Sequence, residues 1–69
     1  MSNTTDMRLS LKGLRNDRNL TQRELGKVLN VTNKTISSWE KGDTVPSLKK
    51  VKEICDFFGV SYDSIRWKV

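Results

Sequence analysis

The 69-residue chain contains no histidine, one cysteine (Cys55) and one proline (Pro46). Each scarcity excludes something. Without histidine there is neither the commonest general base nor the commonest metal ligand. A single cysteine cannot form an intrachain disulfide. Cys55 sits among Ile54, Phe57 and Phe58 and reads as a buried core thiol. No run approaches the ~20 apolar residues that span a bilayer, and residues 1–10 lack the apolar centre of a signal peptide. These features lead us to expect a reducing, cytoplasmic setting with no membrane association. There is also no paired-carboxylate constellation, glycine-rich phosphate loop or metal-ligand cluster, so neither enzymatic activity nor a cofactor is expected. A domain of this size buries only about 60% of its unfolded surface, which leaves self-association as the available route to extra stability.

What is present is basic charge, placed unevenly. The net charge is +5, and residues 8–41 carry eight Lys/Arg (Arg8, Lys12, Arg15, Arg18, Arg23, Lys27, Lys34 and Lys41) against three acids (Asp17, Glu24 and Glu40). Such an excess attracts polyanions, although a solvated lysine surface has the same composition.

The apolar periodicity predicts five helices and no strand. A first helix is expected over residues 6–18, with Met7, Leu11 and Leu14 on one face, Thr5 or Asp6 as its cap, and Asn19 ending it in the left-handed conformation. Residues 1–5 read as a loose arm, and residues 6–69 as the single domain. The T-x-x-E of Thr21 and Glu24 is a capping box opening a second helix to residue 29, whose buried stripe would be Leu25, Val28 and Leu29. Asn30 and Val31 form a tight turn. Thr32 caps a third helix over 33–41, and Gly42 stops it. Ser47 caps a fourth helix to residue 58, with Leu48, Val51, Ile54, Cys55 and Phe58 on its apolar face. Ser61 caps a short fifth helix over 62–66, and Val60 and Ile65 close the core.

The third helix divides cleanly. On a helical wheel, Asn33, Ser37, Lys41, Lys34 and Ser38 span an arc of roughly 140°, with Ile36 and Trp39 on the opposite side. Glu40 lies at the edge beside Ile36. Short polar and basic side chains suit the major groove: asparagine pairs with adenine N6/N7, lysine donates to guanine O6/N7, and serine serves either.

Several motifs occur in a specific order: L-R at 14–15, L-T-Q-x-E-L at 20–25, V-T at 31–32, I-S-x-W-E-x-G at 36–42, P-S-L at 46–48 and F-G-V-S at 58–61. In order and spacing the chain resembles the helix-turn-helix domain of the phage repressor/Cro (XRE) family over almost its whole length. The resemblance implies an all-α, five-helix repressor-like domain with its helix-turn-helix at helices 2 and 3. It also implies a sequence-specific regulator that binds double-stranded DNA, in the manner of a Cro-like phage or prophage repressor.

Residue by residue, the resemblance places Asn33, Lys34 and Ser38 at base edges, with Ser37 as a fourth contact. Gln22, Thr32, Thr35, Lys41, Ser47 and Lys49 would approach the DNA backbone. Arg15 and Glu40 would form a structural ion pair between helices. Two positions depart from the family pattern. Gly26 replaces the usual alanine, at an expected cost of ~1 kcal/mol in a helix interior. Asp43 places an acid near the phosphates.

One such module reads few base pairs, so a homodimer on a pseudo-palindromic operator is expected, with reading helices ~34 Å apart. Tyr62, Trp67 and Val69 are apolar and not obviously required by the core, which makes them candidates for the dimer interface; Trp67 could instead fold back onto its own domain. The alternative to a DNA reader is a protein-interaction module, an antirepressor or antitoxin using the same fold on a repressor or toxin.

Overall fold

The computed structural model describes residues 8–67. The arm expected over 1–5, the cap assigned to Thr5 or Asp6, and Met7 and Val69 lie outside this range. Within it the order is β1 (Leu9–Ser10), α1 (Leu11–Asp17), α2 (Gln22–Leu29), α3 (Asn33–Lys41), α4 (Leu48–Phe58), a 3₁₀ turn (Tyr62–Ser64) and β2 (Ile65–Arg66). The domain is thus mostly helical with a helix-turn-helix, but it departs from the expected five helices at both ends.

At the first end, α1 begins at Leu11 rather than at residue 6. Its cap is Ser10, whose Oγ accepts from the Gly13 amide at 2.9 Å. At the other end, the expected fifth helix is a three-residue 3₁₀ turn. Ser61 makes no side-chain cap bond to its backbone there, and its hydroxyl pairs with that of Ser64 at 2.9 Å instead. The segments displaced from helix pair with each other as a parallel ladder, Leu9 with Ile65 and Ser10 with Arg66. A two-residue strand is too short to show an alternating pattern, and its backbone partners are 56 residues apart in sequence.

The middle of the chain follows local chemistry. Thr21 and Glu24 form the reciprocal capping box, at 3.0 and 2.8 Å. Thr32 and Ser47 cap α3 and α4. Asn19 and Asn30 adopt positive φ, 56° and 60°, where a short polar side chain is tolerated. Gly42 and Gly59 provide the other left-handed stops.

The core consists of Leu11, Leu14, Leu25, Leu29, Ile36, Trp39, Ile54, Phe58 and Ile65, with Val60 and Trp67 packed at its margin. Two assignments to the buried stripes are corrected. Val28 is about half exposed, and Leu48 is 71% exposed. Cys55 is half-buried beside the core rather than enclosed within it. Burial and the neighbouring Asp56 push its thiol pKa up, so it remains a weak nucleophile.

Two basic side chains hold the helices together. Arg18 lies against the rings of Phe57 and Phe58, 5.5 and 5.4 Å from their centroids, and donates to the Phe58 carbonyl at 3.3 Å. It therefore places a cation at the C-terminal end of α4, where the helix dipole favours one. Lys50 donates to the Leu29 carbonyl at 2.6 Å, doing the same for α2.

The turn between α2 and α3 folds directly over Gly26. The Val31 amide donates to the Gly26 carbonyl at 2.8 Å. A Cβ on Gly26 would lie 2.6 Å from the Val31 carbonyl oxygen and 3.3 Å from the Thr32 carbonyl carbon, both backbone atoms. Steric space rather than helix propensity therefore governs this position. Gly26→Val should destabilise the domain by about 1–3 kcal/mol through overpacking. Gly26→Ala should forfeit the ~1 kcal/mol that propensity alone would yield. Urea denaturation of the two variants measures both; a Gly26→Val chain as stable as the parent would contradict the geometry.

Candidate nucleic-acid interface

Helix α3 owes its orientation to its inner side. Ile36 is fully buried and Trp39 nearly so, both within the core. Anchoring these two residues turns the opposite arc outward. Asn33, Lys34 and Lys41 are exposed, while Thr35, Ser37 and Ser38 are half-buried.

Several hydroxyls on this surface are already engaged. Thr32 Oγ1 accepts from the Thr35 amide at 3.2 Å and shares a 3.0 Å hydrogen bond with the Thr35 hydroxyl. Ser38 Oγ pairs with Thr44 Oγ1 at 2.9 Å. Ser47 Oγ accepts from the Lys50 amide at 3.4 Å as the α4 cap. Lys49 is exposed at the start of α4.

Thr44 was missed by sequence reasoning, which gave it no role between the third helix, stopped at Gly42, and the fourth, capped by Ser47. The signal lies in Gly42. With φ of 80°, Gly42 reverses the chain so that the Asp43 amide donates back to the Ser38 carbonyl at 3.0 Å. That helix-ending reversal carries the next residue over Ser38. Arg18 and Lys50 were also missed as structural cations, because their partners are carbonyl groups and rings distant in sequence.

Glu40 is the acid of α3, and its carboxylate points inward. Oε2 accepts from Arg15 Nε at 2.6 Å, while Oε1 accepts from Arg15 Nη2 at 3.2 Å and from Gln22 Nε2 at 3.1 Å. Arg15 spends its remaining reach on the Leu20 carbonyl, 2.7 Å from Nη1. The Arg15 and Glu40 side chains are only 10% and 4% exposed. This two-point guanidinium–carboxylate geometry is the strong form of the interaction. It joins α1, the start of α2 and the end of α3, and removes negative charge from the outward arc.

The residues considered for a dimer interface lie at the C-terminal end. Tyr62 is exposed, and its ring stacks on Trp67 at 5.8 Å with a 25° interplanar angle. Trp67 Nε1 donates to the Tyr62 carbonyl at 3.4 Å, and the indole packs against the core. Trp67 is therefore engaged by its own chain.

A helix-turn-helix with a polar, acid-free outward arc defines a class, the DNA-binding transcriptional regulators. Sequence comparison reaches the same class. The Helix-turn-helix family matches residues 11–65. An uncharacterized HTH-type transcriptional regulator of Methanocaldococcus jannaschii is 46% identical over 59 residues, covering 86% of this chain and 89% of its own length. A second, from Bacillus subtilis, is 36% identical over 61 residues, covering 88% of this chain and 92% of its own. The HTH-type transcriptional activator BcrR of Enterococcus faecalis is 40% identical over 55 residues, which span 80% of this chain but only 27% of BcrR. The chain belongs to the XRE family of helix-turn-helix regulators. None of its described helices is long and apolar enough to cross a membrane.

Removing one member of the buried ion pair strands the other. Arg15→Met or Glu40→Leu alone should cost about 3–5 kcal/mol. The double variant should cost less than the sum of the two, because it strands neither charge. A double-mutant cycle by chemical denaturation measures the coupling, and strict additivity would contradict it.

Proposed function

We propose that the chain regulates transcription by reading duplex DNA with the outward arc of α3 laid in the major groove. Asn33, Lys34, Ser37 and Ser38 form the base-reading set. Gln22, Thr32, Thr35, Lys41, Ser47 and Lys49 approach the phosphates. The observation that carries this reading is the asymmetry of α3: Ile36 and Trp39 are buried and Glu40 is neutralised internally, so Asn33, Lys34 and Lys41 project into solvent with no acid of α3 beside them.

Within this reading Gln22 has a second duty. Its amide nitrogen donates to Glu40, so Gln22 also braces α2 against α3 at the DNA surface. Ser38 presents its hydroxyl together with that of Thr44. Two copies occupy a pseudo-palindromic site, and a site overlapping that of the polymerase is repressed by occupancy. BcrR carries the name of an activator, and in this scheme the position of the site relative to the promoter sets the sign.

Selection of binding sites from random duplexes, followed by anisotropy titrations at several salt concentrations, tests the proposal. Binding should weaken steeply with salt. Lys34→Ala should relax preference at one base pair per half-site, by about 1–3 kcal/mol. Lys49→Ala should weaken all duplexes alike and reduce the salt slope by about one. Absence of duplex affinity at low salt would overturn the proposal and leave the same surface to a protein partner.

A further inference from the structure

Ser38 and Thr44 bring two hydroxyls together at the C-terminal end of the reading helix. The oxygens are 2.9 Å apart, and either can be the donor. Ser38 is half-buried on α3, and Thr44 is exposed in the loop that follows it. The backbone fixes this approach, because the Ser38 carbonyl accepts from the Asp43 amide at 3.0 Å and from the Thr44 amide at 3.5 Å. Threonine is β-branched, so the Thr44 hydroxyl has few rotamers to choose from. Thr44 is not among the side chains assigned to DNA above. We propose that Thr44 is a positioning residue that decides which base feature Ser38 reads, by taking the Ser38 proton and turning the serine lone pairs toward the base.

The direction follows from counting protons. A hydroxyl carries one proton and accepts through two lone pairs. Alone, Ser38 could donate to guanine O6 or thymine O4 as readily as it accepts from an amino group. In the pair, one proton lies between the two oxygens and only the other faces outward. Thr44 lies between Lys41 and Ser47, residues that the proposed reading sets against phosphates. A phosphate oxygen only accepts, so it takes the Thr44 proton in a charge-assisted bond, the stronger kind. Thr44 then accepts from Ser38. Ser38 is left facing the groove with lone pairs alone, which suit the exocyclic amino groups adenine N6 and cytosine N4 and not the carbonyl groups of guanine or thymine. The feature assigned to Ser38 is therefore a major-groove amino donor, and this assignment rests on the proposed reading of DNA by α3.

Anisotropy titrations of the full chain on its selected duplex test the relay. Loss of preference in Ser38→Ala identifies the base pair that Ser38 contacts. At that pair, guanine in place of adenine, or thymine in place of cytosine, exchanges the amino donor for a carbonyl acceptor, with the opposite base changed to match. The parent should bind the exchanged duplex about fivefold or more weakly. Thr44→Val keeps the shape of the side chain without its hydroxyl and should bind both duplexes nearly alike, because the Ser38 proton is then free to donate. Thr44→Ser should restore the discrimination. Both Thr44 variants should keep the helical circular dichroism of the parent, since the side chain is exposed. A purely structural Thr44 would weaken both duplexes in proportion and leave their ratio unchanged, which overturns the relay. So does a Ser38→Ala chain with an unchanged site, or a parent that prefers guanine or thymine at the Ser38 position. Absence of duplex affinity in the parent would instead refute the proposed function itself.

Discussion

The contact between Arg15, Glu40 and Gln22 is the constraint on which the rest of the molecule depends. It joins three helices at one point, and it does so with groups that are costly to bury unless paired. Arg15 cannot satisfy its guanidinium from one neighbour. It takes the carboxylate of Glu40 on one edge and the Leu20 carbonyl on the other, so both α3 and the segment leading into α2 must be in register with α1. Hydrophobic contacts among Leu14, Leu25, Ile36 and Trp39 would tolerate small rotations of α3 about its axis. A two-point ion pair tolerates far less. The angle at which Asn33 and Lys34 meet solvent is therefore set at the edge of the polar arc, by a bond whose groups are themselves nearly buried.

The same contact reshapes the electrostatics. Counting residues gives a strongly basic first half, but part of that charge is used internally. Arg15 is held by Glu40, and Arg18 is held by the two phenylalanine rings and the end of α4. What reaches the surface of α3 is smaller in amount and better placed: Lys34 and Lys41 on a helix whose glutamate has been turned away. A polyanion responds to that local arrangement, because exposed charges beyond a Debye length of roughly 8–10 Å are largely screened.

How much of this was legible in the sequence depended on the range of the interactions involved. The boundaries of α2, α3 and α4 are written in residues three or four apart, Thr21 with Glu24 and Thr32 with Thr35, or in a single left-handed residue such as Gly42. The termini were not legible in this way. Leu9 and Ile65 find each other only after the helices have packed, and no local pattern announces a two-residue ladder. Periodicity also overassigned burial, because Val28 and Leu48 fall on the apolar arcs of α2 and α4 yet are covered by none of the described residues to more than about half of their surface. The outward arc of α3 followed from helical geometry alone. The Ser38–Thr44 hydroxyl pair did not, because it requires the chain reversal at Gly42 to be followed in three dimensions.

Leu48 illustrates what such an overassignment can mean. A leucine on the core-facing periodicity of a helix, left in water, is a mismatch between the local pattern and the single chain. Val28 presents a similar mismatch at lower exposure. Leu48 differs because Val51, Cys55 and Tyr62 extend its surface, and because the charges at its border are of opposite sign. The domain thus has two faces with different physics. The α3 arc is polar, and its acid is neutralised from within, which suits a polyanion. The α4 face is a mainly apolar groove, with Lys52 and Asp56 at its border. A small core supports both because the Arg15–Glu40 pair fixes one face, while Ile54 and Phe58, on the buried side of α4, fix the other.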